Sequence, residues 1–426
     1  MRICMLSFHC SPFSLLGGNG AGGMNIYLKE LTSALTRNYP VEVDIFTRSH
    51  NPEHQGISQV DDSTRIIHLT AGPEKSIQGG ALVGRVTEFT FRLREFIRRN
   101  HGYDVIYSHY WLSGLIGESL KKVLGIPHVF TFHTLEFLKK RALEDKRNFC
   151  RILAEKSLAA GADVVISSSD EEKKHLMAEY RLPASKIAVI YPGVNREVFF
   201  PERMEKVDRE MKREETDALY LYAGRIEPIK GLNNLIEAWD LIKKHHPRIY
   251  ERSRLLVIGG GEPGHDFAEN PEMQRLQRCV QAKGLQDRIN FLGSRQHSAL
   301  RTYFTAADAL IMPSLYESFG LVVVEALACG TPVIVSRIGK IKSIVRNGEN
   351  GFSFSPNNPA ALADLLVSFP EKRKRLRSGE RIRSGIINKF SWRETAAKTY
   401  SVMRCLTHSQ KGVIAISSPG ESPQPV

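Results

Sequence analysis

The chain has 426 residues, of which 42% are hydrophobic, and it carries a formal net charge of +13. That length exceeds what one core usually serves, so two domains are expected, and the positive balance points to anionic partners: phosphorylated substrates, an acidic membrane face or nucleic acid. Six cysteines lie scattered (Cys4, Cys10, Cys150, Cys279, Cys329, Cys405) with no Cys-x-x-Cys pair, which argues against a disulfide framework or structural metal and for a reducing, cytoplasmic setting.

In chain order, Met1-Arg-Ile-Cys-Met-Leu-Ser7 is too short an apolar run for a leader or a membrane span and reads as a first buried strand. β-Branched runs then alternate with helical patterns, the mark of parallel sheets built from β-α-β units. Strands are expected at residues 3–7, 42–47, 104–108, 128–132 and 163–167. A loop, Gly17-Gly-Asn-Gly-Ala-Gly-Gly23, joins the first strand to a helix starting near Met24. Residues 85–99 have helical periodicity through Val86, Phe89, Leu93, Phe96 and Ile97, with Arg92, Arg94, Arg98 and Arg99 giving a basic face.

A charged stretch at 202–217 looks like an interdomain connection. The pattern then restarts, with strands expected at 219–223, 254–258, 290–292, 309–312 and 332–335 and a helix at 232–244. The basic run Lys372-Arg-Lys-Arg-Leu-Arg377, continuing to Arg381 and Arg383, reads as the solvated face of a late helix. Residues 392–403 form another helical pattern, and the Ser/Pro/Gly-rich end from 408 reads as disordered. No nucleic-acid module signature accompanies the basic charge, so nucleic acid is set aside as a partner.

Two open α/β sheets in tandem bind ligands at the carboxyl ends of their strands, which places the site in a cleft between domains. In Glu317-Ser-Phe-Gly-Leu-Val-Val-Val-Glu325, a turn feeds a helix running to about Ala328, and its two carboxylates could grip a polyhydroxylated ligand about one nucleotide sugar long. The glycine loop can bring backbone amides close to a phosphate or sugar oxygen. Arg225 and Lys230, on one loop after the first strand of the second domain, could neutralise a diphosphate leaving group. His109, Tyr110, His133 and Thr134 end strands of the first domain, where ligand contacts belong. Gly259-Gly-Gly261-Glu-Pro-Gly264 matches a dinucleotide fingerprint, although Pro263 and a polar stretch stand where the fingerprint needs a helix. A nicotinamide-dependent oxidoreductase and a non-catalytic sugar-binding protein therefore stay open beside a glycosyltransferase.

Gly22-Gly-Met-Asn-Ile-Tyr27, Arg225 with Lys230, and Glu317 with Glu325 resemble the motifs of the retaining glycosyltransferases that include sucrose-phosphate synthases and bacterial lipid and polysaccharide glycosyltransferases. Within that family, Ser7-Phe-His9-Cys-Ser-Pro12, Ala21-Gly-Gly-Met-Asn25 and Ser108-His-Tyr-Trp-Leu-Ser-Gly114 are most similar to the inositol-phosphate glycosyltransferases of mycothiol synthesis. Gly20 departs from that pattern, which carries an acidic residue there, and Leu15 and Leu16 also differ.

The resemblance implies an α/β protein of two Rossmann-like domains facing across a cleft (GT-B type): residues 1–195 for the acceptor, 196–388 for the nucleotide sugar, a helix at 389–407 packing back on the first domain, and a disordered tail at 408–426. It implies that Arg225 and Lys230 hold the donor diphosphate, Glu325 the ribose, and Glu317 the sugar hydroxyls with the amides around Gly320 and Leu321. Gly22 and Gly23 would lie against the donor, with His133 near the reacting face of its sugar. His9, Asn25, Lys75, Tyr110, Thr134 and Arg151 would form the acceptor pocket. The implied reaction is retaining transfer from a nucleotide sugar, UDP-linked first, to a small phosphorylated acceptor, with no cofactor and no metal. A lipid or polysaccharide acceptor at an anionic membrane face is the alternative.

Overall fold

In the computed structural model, which describes residues 1–12, 22–49, 51, 56–75, 77, 80–100, 102–143, 149–203, 218–261 and 270–409, the β-branched runs pair into two sheets. The first holds β1 (Arg2–Leu6), β2 (Glu42–Arg48), β3 (Gly56–Asp61), β4 (Thr64–Leu69), β5 (Val105–His109), β6 (His128–Thr131), β7 (Val164–Ser167) and β8 (Ile187–Val189). Their order is β3-β4-β2-β1-β5-β6-β7-β8, parallel except where β3 meets β4. The second holds β9 (Ala218–Ala223), β10 (Ser253–Ile258), β11 (Ile289–Gly293), β12 (Ala309–Met312), β13 (Val333–Ser336) and β14 (Gly351–Phe354) in the order β11-β10-β9-β12-β13-β14. Each order reverses beside the sheet's first strand, between β1 and β5 and between β9 and β12, and such a switch point opens a crevice at the strand carboxyl ends.

Strands covered on both faces read as unbroken apolar runs. Ile3, Cys4, Met5 and Leu6 of β1 are all fully buried. The helices supply the covering layers through apolar positions at helical spacing. Helix Leu232–His245 buries Leu232, Leu235, Ile236, Trp239 and Ile242, and the Trp239 ring meets Tyr220 edge-on with centroids 5.6 Å apart.

The structure departs from the sequence expectation mainly at the sheet margins. The strands β3, β4, β8 and β14 were not anticipated. Every residue of β3 is exposed, so Gly-Ile-Ser-Gln-Val-Asp carries no burial pattern to read. Residues 372–383 are not one solvated helical face either. One helix ends at Arg373, another spans Gly379–Ile387, and two of the arginines are structural. Arg373 pairs with Asp308 beneath the second sheet. Arg383 donates to the carbonyls of Phe199 and Ala328, both at 2.5 Å. Most of the proposed connection, residues 204–217, lies outside the described residues, as do the dinucleotide-like positions 262–269, much of the glycine loop (13–21) and residues 410–426.

The chain passes between the two halves twice, side by side. On the way out, Ile190 packs in the first core and Phe199 in the second. On the return, Phe390 lies in the second core and Trp392 in the first. The passes touch at a Val194–Ser391 bridge, with the Val194 amide 3.2 Å from the Phe390 carbonyl. Helix Trp392–Ser409 then lies against helix Gly23–Asn38, where Tyr400 stacks on Tyr39 at 4.3 Å and Trp392 meets Tyr27 at 5.5 Å. Gly193 sits where a methyl group would clash with the Trp392 backbone nitrogen. Gly193→Ala is expected to cost about 2 kcal/mol through this overpacking and to lower the melting temperature by roughly 4–8 °C in a thermal scan. An unchanged melting temperature would show that the two passes do not hold each other.

Candidate active site

Both switch points face one cleft, and the loops leaving β9 and β12 furnish its C-terminal wall. After β9 the chain turns at Gly224 and Arg225, whose carbonyl accepts from Tyr222 at 2.7 Å, while the Arg225 guanidinium reaches Glu227 at 2.6 Å. A 3-10 turn at Pro228–Lys230 ends on Gly231 (φ +71), where a side chain would strike the Pro313 carbonyl. That close approach lays the loop against the one leaving β12. Lys230 Nζ lies 2.6 Å from Glu317 Oε1, which also accepts from Ser314 Oγ at 3.1 Å.

Glu317 precedes the helix rather than riding on it. The chain swings through Gly320 (φ +89) into helix Leu321–Ala328, so only Glu325 lies on the helix. Glu317 and Glu325 nonetheless line the same pocket, with about 870 Å³ of free space, as do Gly22, Gly23, Arg225, Lys230, Gly320 and Leu321. Glu325 is buried and accepts from His297 Nε2 at 2.8 Å. Burial works against a charge on His297, but the carboxylate outweighs it and the pKa is raised.

The N-terminal wall joins this pocket at Gly22 and Gly23. A methyl group on Gly22 would sit 3.3 Å from the Arg225 side chain, and one on Gly23 would lie 3.6 Å from Leu321. A larger lobe, with about 1820 Å³ of free space, continues past His9, Tyr110, His133, Thr134, Lys139 and Arg151. Tyr110 (φ +73) and His133 (φ +62) adopt a backbone conformation that residues with a Cβ rarely hold, and such strain gathers at functional sites.

Arg151 organises the far end. Its guanidinium meets Glu155 at 2.9 Å, Glu136 at 3.0 Å, the Tyr110 hydroxyl at 2.9 Å and Thr134 Oγ1 at 3.2 Å. Its charge is thus locally balanced, and it sets the Tyr110 and Thr134 hydroxyls in place. The imidazoles are neutral: burial, then Arg151 and Arg225, lowers the His9 pKa to about 4, and burial, then His9, lowers that of His133 to about 3.

Two anticipated residues stand apart. The Asn25 side chain is spent on the loop before its helix, accepting from the Gly22 amide at 3.0 Å and donating to the Ser11 carbonyl at 2.6 Å. Lys75 is exposed and does not line either pocket. Sequence reading missed His297, Tyr316, Ser318 and Glu155. His297 lies just beyond the carboxyl end of β11 and could have been found by that rule, and Glu155 stands four residues after Arg151 on one helix. Tyr316 and Ser318 flank Glu317 and bridge the cleft: the Leu135 amide donates to the Tyr316 hydroxyl at 3.1 Å, and Ser318 Oγ donates to the His133 carbonyl. Among the described residues, no three His, Cys, Asp or Glu side chains form a group able to hold a metal, and no helix is long and apolar enough to cross a membrane.

Two Rossmann-like domains that close on a cation-bearing loop and an acidic loop define a glycosyltransferase architecture. Residues 204–383 match the family model "Glycosyl transferases group 1", and residues 21–198 match "Glycosyltransferase Family 4". The chain is 34% identical to the D-inositol 3-phosphate glycosyltransferase of Corynebacterium glutamicum over 410 residues, covering 94% of this chain and 96% of that one. The enzyme of the same name from Xylanimonas cellulosilytica is 34% identical over 415 residues, again covering 94% and 96%. Among solved structures, sucrose-phosphate synthase from Thermosynechococcus elongatus superposes with a TM-score of 0.87 at 30% identity, covering 96% of this chain and 99% of that one. Anabaena HepE, solved in complex with UDP and glucose, shares the fold with a TM-score of 0.75 at 19% identity, covering 95% and 100%. The chain belongs to the group 1 glycosyltransferases.

Stability should follow the buried imidazoles. His128, held at about 3 by burial, behaves like His9 and His133. Each has a folded pKa below its unfolded value near 6.5, so the unfolded chain binds the extra protons, and stability is lost as pH falls below about 6.5. By pH 5 each histidine should have removed about 1–2 kcal/mol. His297 runs the opposite way, its contribution fading as pH rises through its raised value. Urea midpoints measured from pH 7 to 4.5 should fall steeply, and a flat profile would mean that the three imidazoles are charged in the fold.

Proposed function

We propose that the protein transfers a sugar from a nucleotide sugar, a UDP-sugar first, to a hydroxyl of a small phosphorylated acceptor, with retention at the anomeric carbon. The observation that carries this reading is the seam where Arg225 and Lys230 meet Gly22, Gly23 and the first residues of helix Leu321–Ala328 in one pocket. Two cations beside a helix N-terminus suit a diphosphate. The acidic residues of that pocket take the rest of the donor, Glu325 the ribose and Glu317 the hydroxyls of the transferred sugar, with His133 across the cleft.

The acceptor lies in the adjoining lobe against His9, Tyr110 and Thr134, the last two set by Arg151, with Lys139 adding positive charge at the wall. The names of the most similar relatives favour a phosphorylated polyol. The acceptor hydroxyl oxygen attacks the anomeric carbon on the face from which the diphosphate departs. The carbon–oxygen bond to the diphosphate breaks, and the acceptor's proton passes to the departing oxygen. Arg225 and Lys230 stabilise the charge that develops there, the work a metal ion or a general acid would otherwise do.

Arg225→Ala or Lys230→Ala is expected to lower kcat by about 10²–10⁴-fold with the fold intact by circular dichroism; near-normal turnover in either would sink the assignment. Glu325→Ala should weaken donor binding by about tenfold in calorimetry, the size of one lost charge-assisted hydrogen bond to a ribose hydroxyl. The reaction itself is tested by incubating the protein with a panel of nucleotide sugars and with polyol-phosphate, lipid and polysaccharide acceptors. Proton NMR should show the anomeric configuration of the donor kept in the product; inversion would exclude the front-face route.

A further inference from the structure

We propose that His109 is a positioning residue for this transfer: its buried ring orients His133 and leaves that imidazole one nitrogen, Nδ1, with which to meet the donor sugar. The inference rests on the reading above, which sets His133 against the sugar. His109 closes β5 and His133 lies just beyond β6, two strands paired in register with His109 opposite Thr131. This brings His109 Nδ1 to 3.0 Å from His133 Nε2.

His109 is fully buried, with its ring 4.1 Å from that of Tyr107 and 5.8 Å from that of Tyr27. Its other nitrogen, Nε2, is buried without a hydrogen-bond partner among the described residues. An orphaned polar atom of this kind is destabilising, a penalty that an apolar ring of similar shape would avoid. What an apolar ring could not do is bond His133 Nε2. The orphan therefore marks a residue kept for that one contact.

His133 is fixed from its other side as well. Its carbonyl accepts from Ser318 across the cleft, its backbone is held at φ +62, and Tyr27 stands edge-on to its ring at 5.0 Å. The ring lines the cleft, and Nδ1 makes no hydrogen bond to the described residues. Burial keeps both imidazoles neutral, so each carries a single N–H and the shared bond couples their tautomers. If His109 donates, His133 carries its proton on Nδ1; if His109 accepts, Nδ1 is bare. In either arrangement the sugar meets a nitrogen of one fixed character. Without His109 the ring can turn over, trading Nδ1 for Cδ2, and its two tautomers can exchange, so that each nitrogen averages between protonated and bare.

His109→Leu removes the bond while keeping the site filled, and His109→Asn places an amide near the position of Nδ1. His109→Leu is expected to lower kcat by about ten- to a hundredfold, the scale of a misplaced reacting group, and His109→Asn to recover most of that loss. In the background of His133→Ala, His109→Leu should have little further effect. Long-range ¹⁵N–¹H correlation spectra of the free protein supply a readout that mere packing would not move. The two His133 nitrogens should be distinct in the wild type and in His109→Asn, and averaged in His109→Leu. Distinct nitrogens and unchanged kcat in His109→Leu would overturn the proposal, as would averaged His133 nitrogens in the wild type should His109→Leu not fold. A fixed His133 ring in a protein that turns over no nucleotide sugar would overturn the transferase reading instead, so the two failures are told apart.

Discussion

The ion pair between Lys230 and Glu317 sets the spacing on which the cleft depends. Its partners lie 2.6 Å apart and are both largely withdrawn from water, at 16% and 15% exposure. In such surroundings each charge needs the other, because removing one leaves a desolvated ion at a cost of about 3–5 kcal/mol. The lysine leaves β9 and the glutamate leaves β12, the strands on either side of the switch point, so the pair ties together the loops that form the pocket. Glu317 accepts from Lys230 and Ser314 through Oε1, which leaves Oε2 without a hydrogen bond among the described residues. Lys230 has further N–H donors beyond the one directed at Glu317. A pair of this kind fixes both groups while keeping part of each available to a ligand.

The N-terminal wall is built differently. Its polar groups are held by burial and by one another: Arg151 between Glu136 and Glu155, Tyr180 donating to Glu155 at 2.6 Å, and His9 packed at 4.5 Å on the Tyr110 ring. Positive φ at Tyr110 and His133 adds backbone strain that only such a surrounding network can sustain. The C-terminal wall thus presents paired charges to the cleft, while the N-terminal wall presents neutral rings and hydroxyls with Lys139 at its margin.

Much of this was legible in the sequence, because buried parallel strands announce themselves. The runs around Ile3–Leu6, Ala309–Met312 and Val333–Ser336 are apolar on both faces and fall where the sheets need them. The margins were not legible. Exposed β3 has no inside, and the short edge strand β14 draws only part of its burial from the sheet. Within the cleft, residues at strand carboxyl ends could be nominated by position, but their partners could not: nothing in the spacing of His109 and His133, or of Arg225 and Gly22, shows that they touch. Asn25 illustrates the converse. It belongs to a motif at the right place, yet local geometry turns its amide toward the loop backbone.

The doubled passage of the chain near Val194 and Ser391 has a mechanical consequence. A single connecting strand would let one half swivel freely on the other, whereas two strands bonded side by side behave as a strap hinge with resistance to torsion. Helix Trp392–Ser409 anchors one leaf of that hinge along helix Gly23–Asn38. Movement about such an axis would carry the segment from Tyr316 to Gly320 toward or away from His133 as one rigid jaw, so that engagement of Ser318 with the His133 carbonyl and completion of the cleft become a single event.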